Sequence, residues 1–273
     1  MKMDLHMHST FSDGEWTPQQ LVQYAADHHI HMIAITDHDE IAGYHEGITY
    51  AETMGITLIP GIELNTDGPD GELHILGYQF DPNAPVLLNH IKTRQEQRMD
   101  WARQIVQKLQ ALDFNITFED CMAHAAGDVI VRTHIATELF AKGYFSSPRQ
   151  AFNVLLRKGA PAFCPRAPFT AEDAISLIHK AGGKAYVAHP GIYTFPVHID
   201  RLVEYGIDGI EVFHSKHTPG QTDFWRDRAL RRGLLMSGGS DHHGPNSRNP
   251  FPIGSVEMDE ACITQWREKE GIL

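Results

Sequence analysis

Short apolar runs recur along this chain, and most of them end on a histidine, an aspartate or a glutamate. The runs are Met3–His8, Met32–Asp37, Thr57–Glu63, Leu73–Gln79, Lys184–His189, Gly209–Phe213, Leu234–Asp241 and Ile253–Glu257. Each has strand length and strand composition. Between several of them lie segments with readable helix starts. Thr17-Pro18-Gln19-Gln20 offers an N-cap, a proline at the first helical position and a capping-box glutamine. Thr170-Ala171-Glu172-Asp173 opens another helix, which Gly182-Gly183 closes. Near-continuous apolar strands alternating with helices predict an α/β fold, with a mainly parallel sheet buried on both faces. Seven or so such units favour a closed (β/α)7 barrel over an open sheet.

The alternation breaks once. After Tyr78 no strand pattern returns until Ala185, and Val86–Leu112 reads instead as a long helix with Ala102, Ile105, Val106, Leu109 and Leu112 on one face. Shorter helices are predicted over Thr133–Lys142 and Pro148–Lys158. The simplest organisation is one barrel domain over residues 1–273 with a helical insertion at about 82–167, as loops on such a scaffold permit. Charge follows the same division. The chain carries −12, yet Phe80–Ala167 holds eleven Lys and Arg against eight Asp and Glu, which leaves −15 on the remainder. A chain this acidic is unsuited to wrapping long nucleic acid.

The residues ending the runs share one chemistry. His6 and His8 are two apart and so face the same side of a strand, with Asp13 in the loop beyond. Thr36-Asp37-His38-Asp39, Gly61-Ile62-Glu63, His74, Ala188-His189-Pro190 and Ser240-Asp241-His242-His243 complete the series. Active residues of β/α barrels gather at the C-terminal ends of the strands. Burying so many ionisable groups without partners would be prohibitive. Nine candidates therefore converge: His6, His8, Asp13, His38, Glu63, His74, His189, Asp241 and His243. They exceed what one ion can take and suit two or three divalent cations, of the Mn²⁺, Zn²⁺ or Fe²⁺ kind rather than Ca²⁺. Cys121, Cys164 and Cys262 are widely spaced and read as buried thiols, neither disulfides nor zinc ligands.

In order, the runs D-L-H-M-H-S-T-x-S-D-G, T-D-H-D, G-I-E, H-I-L-G, A-H-P and G-S-D-H-H-G closely resemble the PHP (polymerase and histidinol phosphatase) family of metal-dependent phosphoesterases. The match spans the chain. It implies a distorted (β/α)7 barrel with a trinuclear site whose ligand positions the nine residues occupy. It also implies the partition of ligands: His6, His8, Glu63 and Asp241 on one ion, Glu63, His74 and His189 on a second, Asp13, His38 and His243 on a third. Val131-Arg132-Thr133-His134 and Lys158-Gly159-x-Pro161 resemble a stand-alone bacterial branch of nucleoside 3′,5′-bisphosphate phosphatases and 5′→3′ exoribonucleases on short RNA. His242 stands where an aromatic is common, and as the extended neighbour of Asp241 and His243 it is not a ligand.

The predicted reaction is hydrolysis of phosphate esters by a hydroxide bridging two metals. The expected substrates are nucleoside 3′,5′-bisphosphates or short 5′-phosphorylated oligoribonucleotides, with a histidinol-phosphate-type monophosphate phosphatase as the alternative. Arg132, with its planar fork, and Lys158 and Arg166 are the candidate phosphate-binding residues, with His134 beside them. His217 is the candidate donor of a proton to the leaving group. A deaminase of the amidohydrolase type would leave Asp13, His38 and His243 without a task, and a non-catalytic metal module would not need the full ligand set. Asp27-His28-His29-Ile30-His31 reads as a helix C-terminus. Gly238-Gly239 lacks the lysine of a phosphate-binding loop. No apolar run is long enough to span a membrane and no secretory leader is visible. The expectation is a cytoplasmic enzyme with a small phosphorylated substrate and no obligate protein partner.

Overall fold

The computed structural model describes residues 1–125, 130–247 and 249–269. Seven strands form one sheet in chain order: β1 (Met3–Met7), β2 (Met32–Ile35), β3 (Thr57–Asn65), β4 (His74–Tyr78), β5 (Lys184–Val187), β6 (Gly209–His214) and β7 (Leu235–Gly239). The helices are α1 (Pro18–Asp27), α2 (Ala42–Met54), α3 (Pro85–Gln110), α4 (Phe118–Met122), α5 (Arg132–Ala141), α6 (Pro148–Ala151), α7 (Ala171–Lys180), α8 (Ile199–Glu204), α9 (Pro219–Arg232) and α10 (Glu260–Lys269). Two compact units divide the chain, one of residues 1–88 and 168–273, the other of residues 89–167.

The first unit is a nearly closed, distorted barrel. The ends of the sheet meet where Asp241 N–H donates to the His6 carbonyl (2.8 Å) and His8 N–H to the His242 carbonyl (2.9 Å). One glycine permits that seam, and its neighbour permits the close approach of β6 to β7. A Cβ on Gly239 would lie 2.4 Å from the His6 nitrogen, and one on Gly238 would lie 2.5 Å from the Phe213 carbonyl oxygen. The glycine pair of β7 therefore serves close strand approach. Every residue of β1, β2 and β6 is buried, because helices cover the outside of the sheet. Leu21, Val22 and Ala25 of α1 and Ala51 of α2 pack with Ile33 and Ile35 of β2.

One strand departs from the parallel expectation. β4 runs antiparallel to both β3 and β5, while all other pairs are parallel. Only residues 66–73 join β3 to β4. A parallel crossover takes a dozen or more residues, so the chain turns back on itself. His74, first in a reversed strand, thereby stands level with Asn65 at the C-terminal end of β3.

The eighth run is not a strand. Ser255 N–H donates to the Pro252 carbonyl, closing a turn. Gly254 has φ 72°, and its N–H donates to Oδ2 of the fully buried Asp4. That buried carboxylate claims an N–H which a strand ladder would need.

The second unit has its own core, made of Trp101, Ile105, Val106 and Leu109 of α3 with Ile135 and Leu139 of α5 and Leu155 and Leu156. Trp101 Nε1–H donates to the Cys164 carbonyl (2.9 Å). The helix predicted over Pro148–Lys158 ends early: α6 passes into a π-helical turn at Phe152–Leu156, and Arg157 is extended. Cys121, Cys164 and Cys262 are free and buried. Among the described residues no helix is long and apolar enough to cross a membrane.

Candidate metal centre

Glu63, 1% exposed on β3, lies at the middle of the barrel mouth. Its Oε2 lies 3.4 Å from His6 Nε2, 3.3 Å from His8 Nε2 and 3.1 Å from His38 Nδ1. Its Oε1 lies 2.8 Å from His74 Nδ1 and 3.0 Å from His189 Nε2. Five imidazoles from three strand ends and the loop after β2 thus surround one carboxylate. Asp241 Oδ1 is 3.5 Å from His6 Nε2 and 3.4 Å from His8 Nε2. Asp13 Oδ1 is 3.2 Å from His243 Nε2 and 3.6 Å from His8 Nδ1. All nine candidate ligands meet in one pocket.

Their donor atoms form four overlapping groups, each within 4.8 Å: His8, Asp13, His38 and His243; His6, His8 and Asp241; His6, Glu63 and His189; His38, Glu63 and His74. The overlap differs from the partition expected by resemblance. His8 reaches the Asp13 group, and His74 pairs with His38 rather than with His189. Glu63 is shared between neighbouring positions in both arrangements, and His6, His8 and His38 are shared in the observed groups alone.

Hydrogen bonds behind the pocket decide which ring atom faces it. His6 Nδ1 donates to Glu211 Oε1 (2.8 Å), and His243 Nδ1 donates to the Asp241 carbonyl (2.8 Å). Each leaves its Nε2 lone pair facing inward. Asp241 Oδ2 is taken by Asn249 Nδ2 and by His214 Nε2 (3.4 Å), which turns Oδ1 toward the pocket. Among the described residues, His6 Nε2, His8 Nε2, His38 Nδ1 and His243 Nε2 are buried without a hydrogen-bond partner. Buried polar atoms are rarely left so. Imidazole lone pairs and carboxylates aimed at common points suit divalent cations, so the residues present fit the ions their chemistry implies.

Electrostatics agree. Burial alone would raise the Glu63 carboxyl, but His38, His74 and His6 hold it well below its ordinary value. Asp241 behaves likewise, burial being outweighed by His6, His214 and His8. Burial pulls His38 down to about 3, ahead of the opposing pull of Glu63 and Asp13, so its ring is neutral at pH 7. His8 is pushed the other way, to about 10, burial being overcome by Asp241 and Glu63. A cation bound there would compete with a proton for the His8 ring.

The loops that present these groups are strained. Asp39, His189 and Asp241 have φ of 52°, 31° and 54°, a region that costs a non-glycine residue about 1–3 kcal/mol. Each is tied down by its own N–H: Asp39 to the Glu63 carbonyl (2.9 Å), Asp241 to the His6 carbonyl (2.8 Å), and His189 to Glu211 Oε2 (2.6 Å). The Asp13 loop is fixed by Asp37, whose buried carboxylate accepts from Ser9 N–H (2.7 Å), Ser9 Oγ (2.6 Å) and Ser12 Oγ (2.5 Å).

Glu211, Asn249 and Asp37 were absent from the sequence-based list. Glu211 had a signal, being an acidic residue inside the apolar run Gly209–Phe213. His242 points elsewhere: its Nδ1 donates to the Phe251 carbonyl (2.6 Å) and its ring packs on Trp16.

The remaining candidates separate. Arg132 and Arg166 both face Trp101, at 6.0 and 5.2 Å, and Arg132 also lies over Phe152 at 5.3 Å. His134 accepts from Val131 N–H (3.4 Å), at the start of α5. Lys158 is exposed. His217 differs from its expected role. Its Nδ1 donates to the Val212 carbonyl (2.9 Å) and its Nε2 accepts from Gly191 N–H (3.0 Å), so both nitrogens serve the backbone and neither holds a proton for a leaving group.

Comparison with known proteins decides the family. A PHP domain is matched over residues 4–139. A 3′,5′-nucleoside bisphosphate phosphatase of Chromobacterium violaceum is 33% identical, over 98% of this chain and 96% of its own. The chain belongs to the PHP family. A second relative, the 5′-3′ exoribonuclease Rnm of Escherichia coli, is 34% identical over 89% of this chain and 85% of its own. A solved structure from C. violaceum, described as an amidohydrolase with bound sulfate and no metal, superposes with a TM-score of 0.83 at 32% identity, covering 100% of this chain and 97% of that one. This PHP protein is a metal-dependent phosphoesterase.

Proposed function

We propose that the enzyme hydrolyses nucleoside 3′,5′-bisphosphates or short 5′-phosphorylated oligoribonucleotides at a centre formed by the nine residues around Glu63. The observation that carries this reading is the convergence of buried, unpartnered imidazole nitrogens on shared carboxylates. Divalent ions bound there would supply Lewis acidity to phosphoryl oxygens and acidify a coordinated water. The side chains do the rest. Glu63 and Asp241, ionised by their imidazole neighbours, would balance the positive charge, and His6 and His243 present a fixed lone pair. Exposure grades across the pocket, from 0% for the His6 and His8 side chains through 12% for His38 and 27% for His74 to 37% for Asp13. The scissile phosphate would therefore enter over Asp13, His38 and His74.

Arg132, Arg166 and Lys158 are the proposed holders of a second phosphate. Arg132 has the planar fork for bidentate contact, and its aromatic neighbours hold that fork in place. The names of both relatives support a phosphorylated nucleoside or RNA as substrate. Mn²⁺-loaded protein is expected to hydrolyse adenosine 3′,5′-bisphosphate or a 5′-phosphorylated oligoribonucleotide faster than histidinol phosphate, and to lose activity on chelation. A preference for histidinol phosphate would overturn the substrate assignment, and full activity after chelation would overturn the chemistry.

A further inference from the structure

Beyond His189 the chain lays down a line of rings leading away from the pocket. His189 packs against Tyr193 with centroids 5.3 Å apart, and Tyr193 against Phe195 at 5.0 Å. Phe195 then lines an open groove of about 600 Å³, whose opposite wall is α9 with Phe224 and Arg228. That volume lies within the range of small-molecule sites, about 300–1,000 Å³. We propose that this groove seats the nucleoside on the far side of the scissile phosphate, so that the site holds a nucleic acid chain and not only a single nucleotide. The inference rests on the phosphoesterase reading above.

Three features favour that occupant. First, the wall combines stacking faces with a cation. The Arg228 guanidinium lies 3.4 Å from the Phe224 ring centroid, and Phe224 is 45% exposed. Rings interleaved with arginine are how single-stranded nucleic acid is gripped without regard to sequence. Second, the charge is complementary. The chain carries −12, yet the lining of this groove includes Arg228 and no acidic residue. Third, the groove wall begins at the residue after a candidate ligand and is braced in place. Pro190 and Gly191 follow His189 directly. Gly191 N–H donates to His217 Nε2 (3.0 Å), and Gln221 Nε2 donates to the Gly191 carbonyl. A Cβ at Gly191 would lie 2.8 Å from the His217 ring, so glycine allows this clasp. His217 and Gln221 thus clip the segment after His189 to the start of α9, and a preformed wall loses less entropy on binding.

The test measures binding and turnover with a 5′-phosphorylated penta-adenylate labelled with fluorescein at its 3′ end, and turnover of adenosine 3′,5′-bisphosphate and histidinol phosphate beside it. Fluorescence anisotropy of metal-free full-length protein gives affinity without cleavage, and Mn²⁺-loaded protein gives kcat and KM. Phe224→Ala and Arg228→Ala are each expected to weaken binding about tenfold to a hundredfold, the range for losing one stacked base. Phe224→Leu, which keeps apolar volume but no ring, should lose nearly as much. In turnover the loss should fall on KM, and the ratio of kcat/KM for the pentamer over adenosine 3′,5′-bisphosphate should drop at least tenfold. Unaltered pentamer affinity in all three variants would overturn the inference, as would an equal fall for both substrates. If wild-type protein cleaves the bisphosphate but neither binds nor cleaves the pentamer, the groove assignment falls while the phosphoesterase reading stands. If it cleaves neither nucleotide and prefers histidinol phosphate, the reading falls and takes the groove with it.

Discussion

Glu211 shows how much of this centre rests on residues that hold no ion themselves. One carboxylate oxygen accepts from the His6 ring and the other from the His189 backbone, joining ligands of β1 and β5 through a residue of β6. Burial opposes its ionisation, yet His6 and His214 hold it below its ordinary value, so it is an acceptor on both sides. Glu211→Gln keeps the shape but replaces one acceptor oxygen with an NH₂ donor. It should cut metal affinity about tenfold to a hundredfold, as is usual for partners behind a ligand. Competition with a chelating dye measures this; unchanged affinity would show that His6 needs no such support. Most of the nine pocket residues were legible because they sit at or just beyond a strand end, where pattern and chemistry coincide. Glu211 was not, because an acid in mid-strand gains meaning only when its partners, some 20 and 200 positions away, are brought alongside. His217 departs from its expected role because the Gly191 and Val212 backbone engages both of its nitrogens.

At the scale of elements, the barrel depends on close approach at its seam. Gly239→Ala would drive a methyl group to within 2.4 Å of the His6 nitrogen. Overpacking of this kind typically costs about 1–3 kcal/mol. Urea unfolding should show that loss, with weakened metal binding because His6 moves. Wild-type stability in the alanine variant would mean that the seam has slack. A second junction is electrostatic. Asp208, between α8 and β6, accepts from Ala185 N–H (2.9 Å), His179 Nε2 (2.7 Å) and Lys184 Nζ (2.8 Å). Burial would raise its carboxyl, but Lys184, the Ala185 amide and His179 hold it below the usual value. A carboxylate depressed in the folded state stabilises above its unfolded pKa, near 3.9, and loses that contribution as pH falls through the folded value. Asp208→Asn should therefore cost about 1–2 kcal/mol near pH 7, with the gap to wild type closing below pH 4. A gap independent of pH would remove charge from the explanation. The direction of β4 was also within reach of the sequence. The count of residues between Glu63 and His74 already forbids a crossover, although the apolar run alone carries no sense of direction.

Across the whole molecule, stability and chemistry make opposite demands on the same groups. A barrel mouth filled with imidazoles and carboxylates is poor packing material, and three strained backbones surround it. Bound cations would reconcile the two by binding the folded state alone. The claim on which the account depends is that nine side chains, from His6 to His243, jointly hold divalent ions. Anomalous scattering from crystals soaked in Mn²⁺ tests it most directly. The account predicts two or three peaks inside the pocket around Glu63, each within coordination distance of a histidine nitrogen and a carboxylate oxygen of this set. Crystals that take up Mn²⁺ only elsewhere, or that leave the pocket empty at saturating metal, would contradict it.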